Sequence, residues 1–181
     1  SVLLGAVEAS PLEVAGFYQT IASQGFHTPL RSIDAVTTSQ GQTLSSYAIN
    51  GEQRYDAATM QWLRYGLEQV AESGTARRLS QHFPVPLAAK TGTSDEQRDA
   101  WFAGFDNRHL GIVWVGRDDN QPMPVAGSSG ALPLWVNAFE RIGVEGLQPA
   151  SALQWYPVLA DGQLLPQGCR DRRASDYPFT D

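Results

Sequence analysis

The run Leu110-Gly111-Ile112-Val113-Trp114-Val115 is apolar at both parities. A strand with one face in water alternates apolar and polar side chains, so a run without alternation has protein on both faces. Two more short apolar runs, Leu87 to Lys90 and Ala100 to Phe105, precede it across polar turns. With no helical crossover between them, the three runs predict consecutive antiparallel strands, with helices above and below. The expected class is therefore α/β in the broad sense (α+β): an antiparallel sheet with helices on both faces.

Three segments supply those helices. Ser10-Pro11-Leu12-Glu13 combines a hydroxyl cap, a first-turn proline and a glutamate three residues on. Val14, Phe17, Tyr18 and Ile21 then share a face, and Gly25 ends the helix. A second helix starts from a cap at Asp56 and runs toward Gly74, with Met60, Leu63, Leu67 and Val70 at helical spacing. A third is capped by Ser128 or Ser129, carries Pro133 in its first turn, and has Leu134, Trp135, Ala138, Phe139 and Ile142 as its apolar stripe. Between the first two helices, residues 31–49 read as a hairpin around Gln40-Gly41, with Ile33, Val36, Leu44, Tyr47 and Ile49 as apolar members. The main unit is expected over 1–143. Residues 144–181 read as an appended tail, with short strands at Trp155 to Leu159 and Gln163 to Leu165 around Asp161-Gly162.

Composition bounds the rest. A chain of 19.7 kDa should fold to an exposed surface of roughly 8,600 Å², burying about 70% of what it exposes unfolded. That is enough core to dispense with a metal or disulfide staple. The net charge of -6 removes the long-range attraction a nucleic-acid binder uses, so nucleic acid is not an expected partner. Cys169 is the one cysteine and cannot close an intramolecular disulfide. No apolar run approaches the roughly 20 residues a membrane helix needs, and Ser1 to Gly5 is too short for a signal segment. No membrane contact is expected of this segment.

Of 13 basic residues only Lys90 is a lysine, and it opens Lys90-Thr91-Gly92-Thr93. A strand edge of this composition offers a cation and two hydroxyls to a carboxylate and a backbone N–H to a developing oxyanion, while glycine lets a substrate backbone approach. Taken alone, Lys-Ser/Thr-Gly arises by chance in about one chain in ten of this size, and an exposed turn with a solvated lysine is the plainer reading of the isolated tetrad.

The surrounding order gives the tetrad meaning. Ala88-Ala89-Lys90-Thr91-Gly92-Thr93 is followed by Asp99-Ala100-Trp101-Phe102-Ala103-Gly104-Phe105 and then by Trp114-Val115-Gly116-Arg117-Asp118-Asp119-Asn120-Gln121-Pro122. In order and spacing this resembles the final strands of the penicillin-binding protein transpeptidase domain, particularly of the class A bifunctional peptidoglycan synthases. Ser10 to Ala15, Ile21 to Gly25 and Ser73-Gly74-Thr75-Ala76 look like further landmarks, so the resemblance covers about residues 1–143. Trp114 to Pro122, and a tail in which Cys169 precedes Tyr177-Pro178-Phe179, look most similar to the 1b branch of Gram-negative bacteria.

The resemblance implies part of a serine beta-lactamase/transpeptidase-like fold and a D,D-transpeptidase, in which a serine attacks the penultimate D-Ala carbonyl of a peptidoglycan stem peptide and beta-lactams acylate the same serine. It implies that Lys90 belongs to the third active-site motif, that Thr91 and Thr93 bond the substrate carboxylate, that the Thr93 N–H is half of the oxyanion hole, and that Gly92 keeps the strand bare. Trp101, beside the motif, is a candidate substrate contact. It implies no cofactor and no metal. A glycosyltransferase domain and a membrane anchor are expected upstream, with the protein working on the periplasmic side of the bacterial inner membrane.

Two motifs of that family are missing. The sole lysine is Lys90 and Leu87 stands three positions before it, so Ser-x-x-Lys does not occur; the residues two before Asn50, Asn107, Asn120 and Asn137 are Ala48, Phe105, Asp118 and Trp135, so Ser-x-Asn does not occur. The chain reads as the C-terminal half of the domain, without the nucleophile. The missing half should pair with strand 110–115, whose edge would otherwise recruit a second copy or the tail. Enzymes of the same superfamily, a beta-lactamase or D,D-carboxypeptidase, remain open, as does a non-catalytic interaction module. His27, His82 and His109 are too dispersed to suggest a metal set, Cys169 lies away from any helix start, and Asp118-Asp119 reads as a turn.

Overall fold

The computed structural model describes residues 7–151 and 153–179; the Ser1 to Gly5 stretch lies outside them. Helix α1 (Pro11–Ala22) starts as its sequence dictates: Ser10 Oγ accepts from the Glu13 N–H at 3.3 Å, and the Glu13 carboxylate takes the Ser10 N–H at 2.8 Å. Gly25, at φ +95, turns the chain with its N–H on Thr20 O. Strand β1 (Phe26–His27) follows, then the hairpin β2 (Ala35–Thr37) and β3 (Thr43–Ser46), and β4 (Glu52–Gln53), which pairs back with β1. Helix α2 (Ala57–Glu72) is capped by Asp56, whose carboxylate accepts from Thr59 N–H at 2.8 Å. After a short α3 (Leu79–His82) come β5 (Ala88–Thr93), β6 (Asp99–Phe105) and β7 (Leu110–Gly116), antiparallel in the order β5-β6-β7. Helix α4 (Leu132–Ile142) and a terminal pair, β8 (Gln154–Leu159) with β9 (Ala174–Phe179), complete the described chain.

The sheet carries helices on both faces. Ala89, Phe102, Val113 and Val115 face α4 and meet Trp135, Val136 and Phe139; Ala88, Phe105 and Leu110, on the other face, meet Ile21 of α1 with Met60 and Leu67 of α2. Helix α2 passes the β5 side of the sheet, so its C-terminal Ala71, with Ala76, Leu79 and Phe83 after it, joins the α4 side. Strand β7 is less enclosed than its composition implies: its residues are half-buried and Trp114 is 41% exposed. It is an edge strand, paired among the described residues with β6 alone.

Three further sequence expectations change. The 31–49 hairpin forms, but Ile33, Val36, Leu44, Tyr47 and Ile49 are all exposed, because no described layer lies over them. Neither Ser128 nor Ser129 caps α4; a π-turn, Gly127–Ala131, leads directly into it and is closed by Leu132 N–H on Gly127 O. The tail strand at 154–159 finds its main partner at 174–179, while the expected 163–165 side is a short arm held by the Val158–Leu164 bridge, Leu159 N–H on Gln163 O and Leu165 N–H on Pro157 O. The chain exposes 12,022 Å², well above the roughly 8,600 Å² of a compact chain of this mass. An apolar groove of about 690 Å³ lies between α1, β1 and the start of α2, lined by Leu12, Phe17, Leu30 and Leu63.

Candidate functional site

Residues 88–93 place the chemistry of the tetrad on one sheet edge. Side chains alternate along a strand, so Lys90 and Gly92 face the α1/α2 side with Ala88, whereas Thr91 and Thr93 face the α4 side with Ala89. The Ser94 N–H donates to Asp99 O at 3.0 Å and fixes the alternation of the ladder. By that alternation Lys90 and Gly92 turn their backbone groups toward β6, and Thr91 and Thr93 turn theirs outward. Among the described residues no strand pairs with that outer side. A ligand laid along β5 therefore meets outward N–H groups at Thr91 and Thr93 and side chains of both parities.

Each side chain is held. Lys90 is exposed and its Nζ donates to Thr91 O at 2.8 Å. Thr91 Oγ1 lies 2.6 Å from Thr75 Oγ1. Thr93 Oγ1 accepts the Gly127 N–H at 3.0 Å. Gly92 is the register partner of Trp101, and a β-carbon on Gly92 would sit 3.1 Å from Trp101 Cβ, so the bare position gives the indole its room. Trp101 is half-buried on the Lys90 face with its ring centroid 6.3 Å from that of Trp114, whose Nε1 donates to Asp99 Oδ1 at 2.9 Å. Lys90, Gly92 and Trp101 thus share one face, and Thr91 and Thr93 the other.

Sequence reading missed Thr75 and Gly127. Thr75 belongs to the Ser73 to Ala76 landmark and reaches Thr91 because Gly74 turns the chain closely against Val70, where a β-carbon would lie 2.8 Å from Val70 Cα, and Ala76 is fully buried. Nothing in the spacing alone brings a residue 16 positions earlier to that hydroxyl.

Other candidates stay apart. His27 Nδ1 lies 3.3 Å from Thr20 Oγ1, His82 Nδ1 is 3.2 Å from Glu140, and His109 Nδ1 is 3.3 Å from Asp106. Among the described residues no three His, Cys, Asp or Glu side chains gather as a metal site would require. Asp118 and Asp119 occupy a turn, with Asp119 paired to Arg117. Asp106 is structural. Burial pushes its carboxyl up, but N–H donation from Glu145, Arg108 and His109 outweighs that and holds it below the usual carboxylate range.

Residues 2–121 match the family profile of the penicillin binding protein transpeptidase domain. The chain belongs to this family. Penicillin-binding protein 1B of Haemophilus influenzae is 34% identical over 161 residues, 87% of this chain and 21% of that protein. Penicillin-binding protein 1B of Escherichia coli is 39% identical over 136 residues, 75% of this chain and 16% of that protein. The chain thus spans about a fifth of the length of these relatives. In structure it resembles penicillin-binding protein 1A of Haemophilus influenzae, with a TM-score of 0.82 at 19% identity over 97% of this chain and 32% of that one. It also resembles the D,D-transpeptidase domain of a peptidoglycan glycosyltransferase from Eggerthella lenta, with a TM-score of 0.58 at 25% identity over 75% of this chain and 33% of that one. Within the transpeptidase family, helices over both faces of an antiparallel sheet are the expected architecture, and this chain carries that part of it. No helix among the described residues is long and apolar enough to cross a membrane.

Proposed function

We propose that this segment is the substrate-binding half of a serine D,D-transpeptidase of peptidoglycan, and that it supplies the Lys-Thr-Gly strand while an upstream segment of the same protein supplies the nucleophile. The observation that carries the reading is the outer edge of β5, unpaired among the described residues, where two outward backbone N–H groups are flanked by Lys90 on one face and two threonine hydroxyls on the other. In the reaction the serine Oγ bonds to the penultimate D-Ala carbonyl carbon. The peptide C–N bond breaks, and the leaving D-Ala amine takes up the proton. An amine of a neighbouring stem peptide then attacks the ester carbonyl and restores the serine. Thr91 and Thr93 hold the terminal carboxylate, the Thr93 N–H meets the oxyanion, Lys90 contributes its positive charge, and Trp101 flanks the bound peptide. Gly92 leaves the strand low enough for the ligand to lie on it.

The rest of the domain fits two further features. The outer side of β7 accepts another strand, from the missing half or from a second copy, and the 690 Å³ apolar groove marks surface that the compact domain covers. Kinship with the Gram-negative proteins supports work on the periplasmic face of the inner membrane, with the anchor upstream.

The test is intact-mass measurement after incubation with benzylpenicillin. The protein bearing the upstream segment should gain one covalent adduct, and residues 1–181 alone should gain none. A stoichiometric adduct on 1–181 alone, or no adduct on the longer protein, would overturn the reading.

A further inference from the structure

The contact between Gly127 and Thr93 joins the π-helical turn to the proposed carboxylate site. Such turns are uncommon and are usually held by specific interactions. Here Ala126 O accepts from Ser129 N–H at 3.1 Å and from Gly130 N–H at 2.7 Å, while the Ala126 N–H donates to Ser129 Oγ at 2.9 Å. The turn runs directly into α4, whose Trp135 and Phe139 rings stack at 3.6 Å in the core. At its start Gly127 is buried flat on the rung that joins β5 to β6. A β-carbon there would lie 2.4 Å from Trp101 O and 2.5 Å from Gly92 O, so only glycine brings its N–H this close to β5. That N–H ends on Thr93 Oγ1 at 3.0 Å.

A threonine hydroxyl has one proton to donate and two lone pairs to accept. With a lone pair of Thr93 Oγ1 occupied from the α4 side, its proton is directed away from Gly127. We infer that the π-turn is a latch that orients the Thr93 hydroxyl, turning its O–H toward a carboxylate lying along the β5 edge. Gly127 is in this sense a positioning residue, acting on substrate through Thr93. The inference rests on the transpeptidase reading and deepens it. It assigns to the β7–α4 connection a share in recognising the substrate's negative charge. The N–H also withdraws electron density from the oxygen and makes Thr93 a better donor, as in any chain of hydrogen bonds.

The test uses the full protein with the upstream segment present and two probes, benzylpenicillin and its methyl ester, which lacks the carboxylate charge. The readout is the ratio of their second-order acylation rates, beside a melting curve for each variant. A hydrogen bond to a charged group is worth about tenfold or more in rate, so Thr93→Val should reduce the acid-to-ester ratio by about that factor while Thr93→Ser retains it. Gly127→Ala should reduce the ratio severalfold with Thr93 still in place. Gly127→Ala/Thr93→Val together should lower it no further than Thr93→Val alone. Ser129→Ala, which loosens the turn without adding a clash, should reproduce the Gly127→Ala effect more mildly and serves where that variant does not fold. If the Gly127 and Ser129 variants slow both probes equally, or if the Thr93 and Gly127 effects multiply, the turn is only structural and the inference fails. A wild type that shows no preference for the acid also overturns it. A wild type acylated by neither probe overturns the transpeptidase reading itself.

Discussion

Trp135 and Gly111 fill one another's space. A β-carbon on Gly111 would lie 2.5 Å from the indole Nε1, and the same Nε1 donates at 3.2 Å to the carbonyl of Gly104, which is Gly111's register partner across β6 and β7. Two facing glycines thus leave a bare patch two strands wide, on which the fully buried Trp135 lies and Phe139 stacks. Gly111→Ala should therefore overpack the α4 face and destabilise the domain by about 1–3 kcal/mol. Trp135→Ala, which empties the patch, should cost more, about 3–5 kcal/mol. Denaturant melts of the full domain would check both, and a neutral Gly111→Ala would contradict the packing described.

Gly66 makes the opposite case. It sits inside α2, and a β-carbon added there would meet nothing within 4 Å, so glycine only weakens the helix. Gly66→Ala should raise stability by about 0.5–1 kcal/mol, seen as a higher melting temperature with unchanged acylation.

Asp106 gives the chain an acid-sensitive joint. Its side chain is fully buried and accepts from the N–H groups of Arg108 at 2.7 Å, His109 at 2.5 Å and Glu145 at 2.8 Å, tying the β6–β7 turn to the segment after α4. Its carboxyl is held low by those N–H donors against the upward push of burial. A carboxyl lowered in the folded state stabilises above its unfolded value, about 3.9, and that contribution fades as pH falls through the folded value. Asp106→Asn should thus lose about 1–3 kcal/mol near neutral pH, and the gap from wild type should close as the medium is acidified below about pH 4. Denaturant midpoints across that range are the measurement. A gap that stays constant to low pH would show that the charge contributes nothing.

Local rules carry far into this chain. The Ser10 and Asp56 caps and the three strands are each written within a few consecutive residues and stand where their patterns place them, except that β5 runs on through the tetrad to Thr93, three residues past the end of its apolar run. Long-range partners are not legible in this way. The Thr75 hydroxyl meets Thr91 only because a turn after α2 is packed onto β5, and strand 154–159 pairs with 174–179, a choice set by packing that no turn signal announces. Ser128-Ser129 before Pro133 satisfies the usual signature of a serine cap, yet the chain forms a π-turn there. What distinguishes it is Gly127's need to lie against β5. The exposed apolar residues of the 31–49 hairpin show the same limit: their pattern promises a covering layer, and the described residues do not contain it.

Lys90 offers the sharpest separation of function from folding. It is exposed, stands on an edge strand, and its ammonium donates at 2.8 Å to the neighbouring Thr91 carbonyl rather than to a carboxylate. Replacing it by alanine removes little buried area, so Lys90→Ala should shift stability by less than about 1 kcal/mol. Its effect on acylation should be far larger. At about 4 Å from a ligand carboxylate, in an effective dielectric near 20, an ammonium contributes up to about 4 kcal/mol, which corresponds to a fall of several hundredfold in the second-order rate with benzylpenicillin. Thr91→Val keeps the shape and removes one hydroxyl whose other neighbour, Thr75, is itself exposed; it should slow acylation by about tenfold, the worth of one hydrogen bond to a charged group. The two rates, read beside melting curves for the same proteins, decide the matter. If Lys90→Ala reacted at the wild-type rate, or lost activity only in proportion to unfolding, the ammonium would be a solvated turn residue and the β5 edge would have to recognise its ligand through backbone and hydroxyl groups alone.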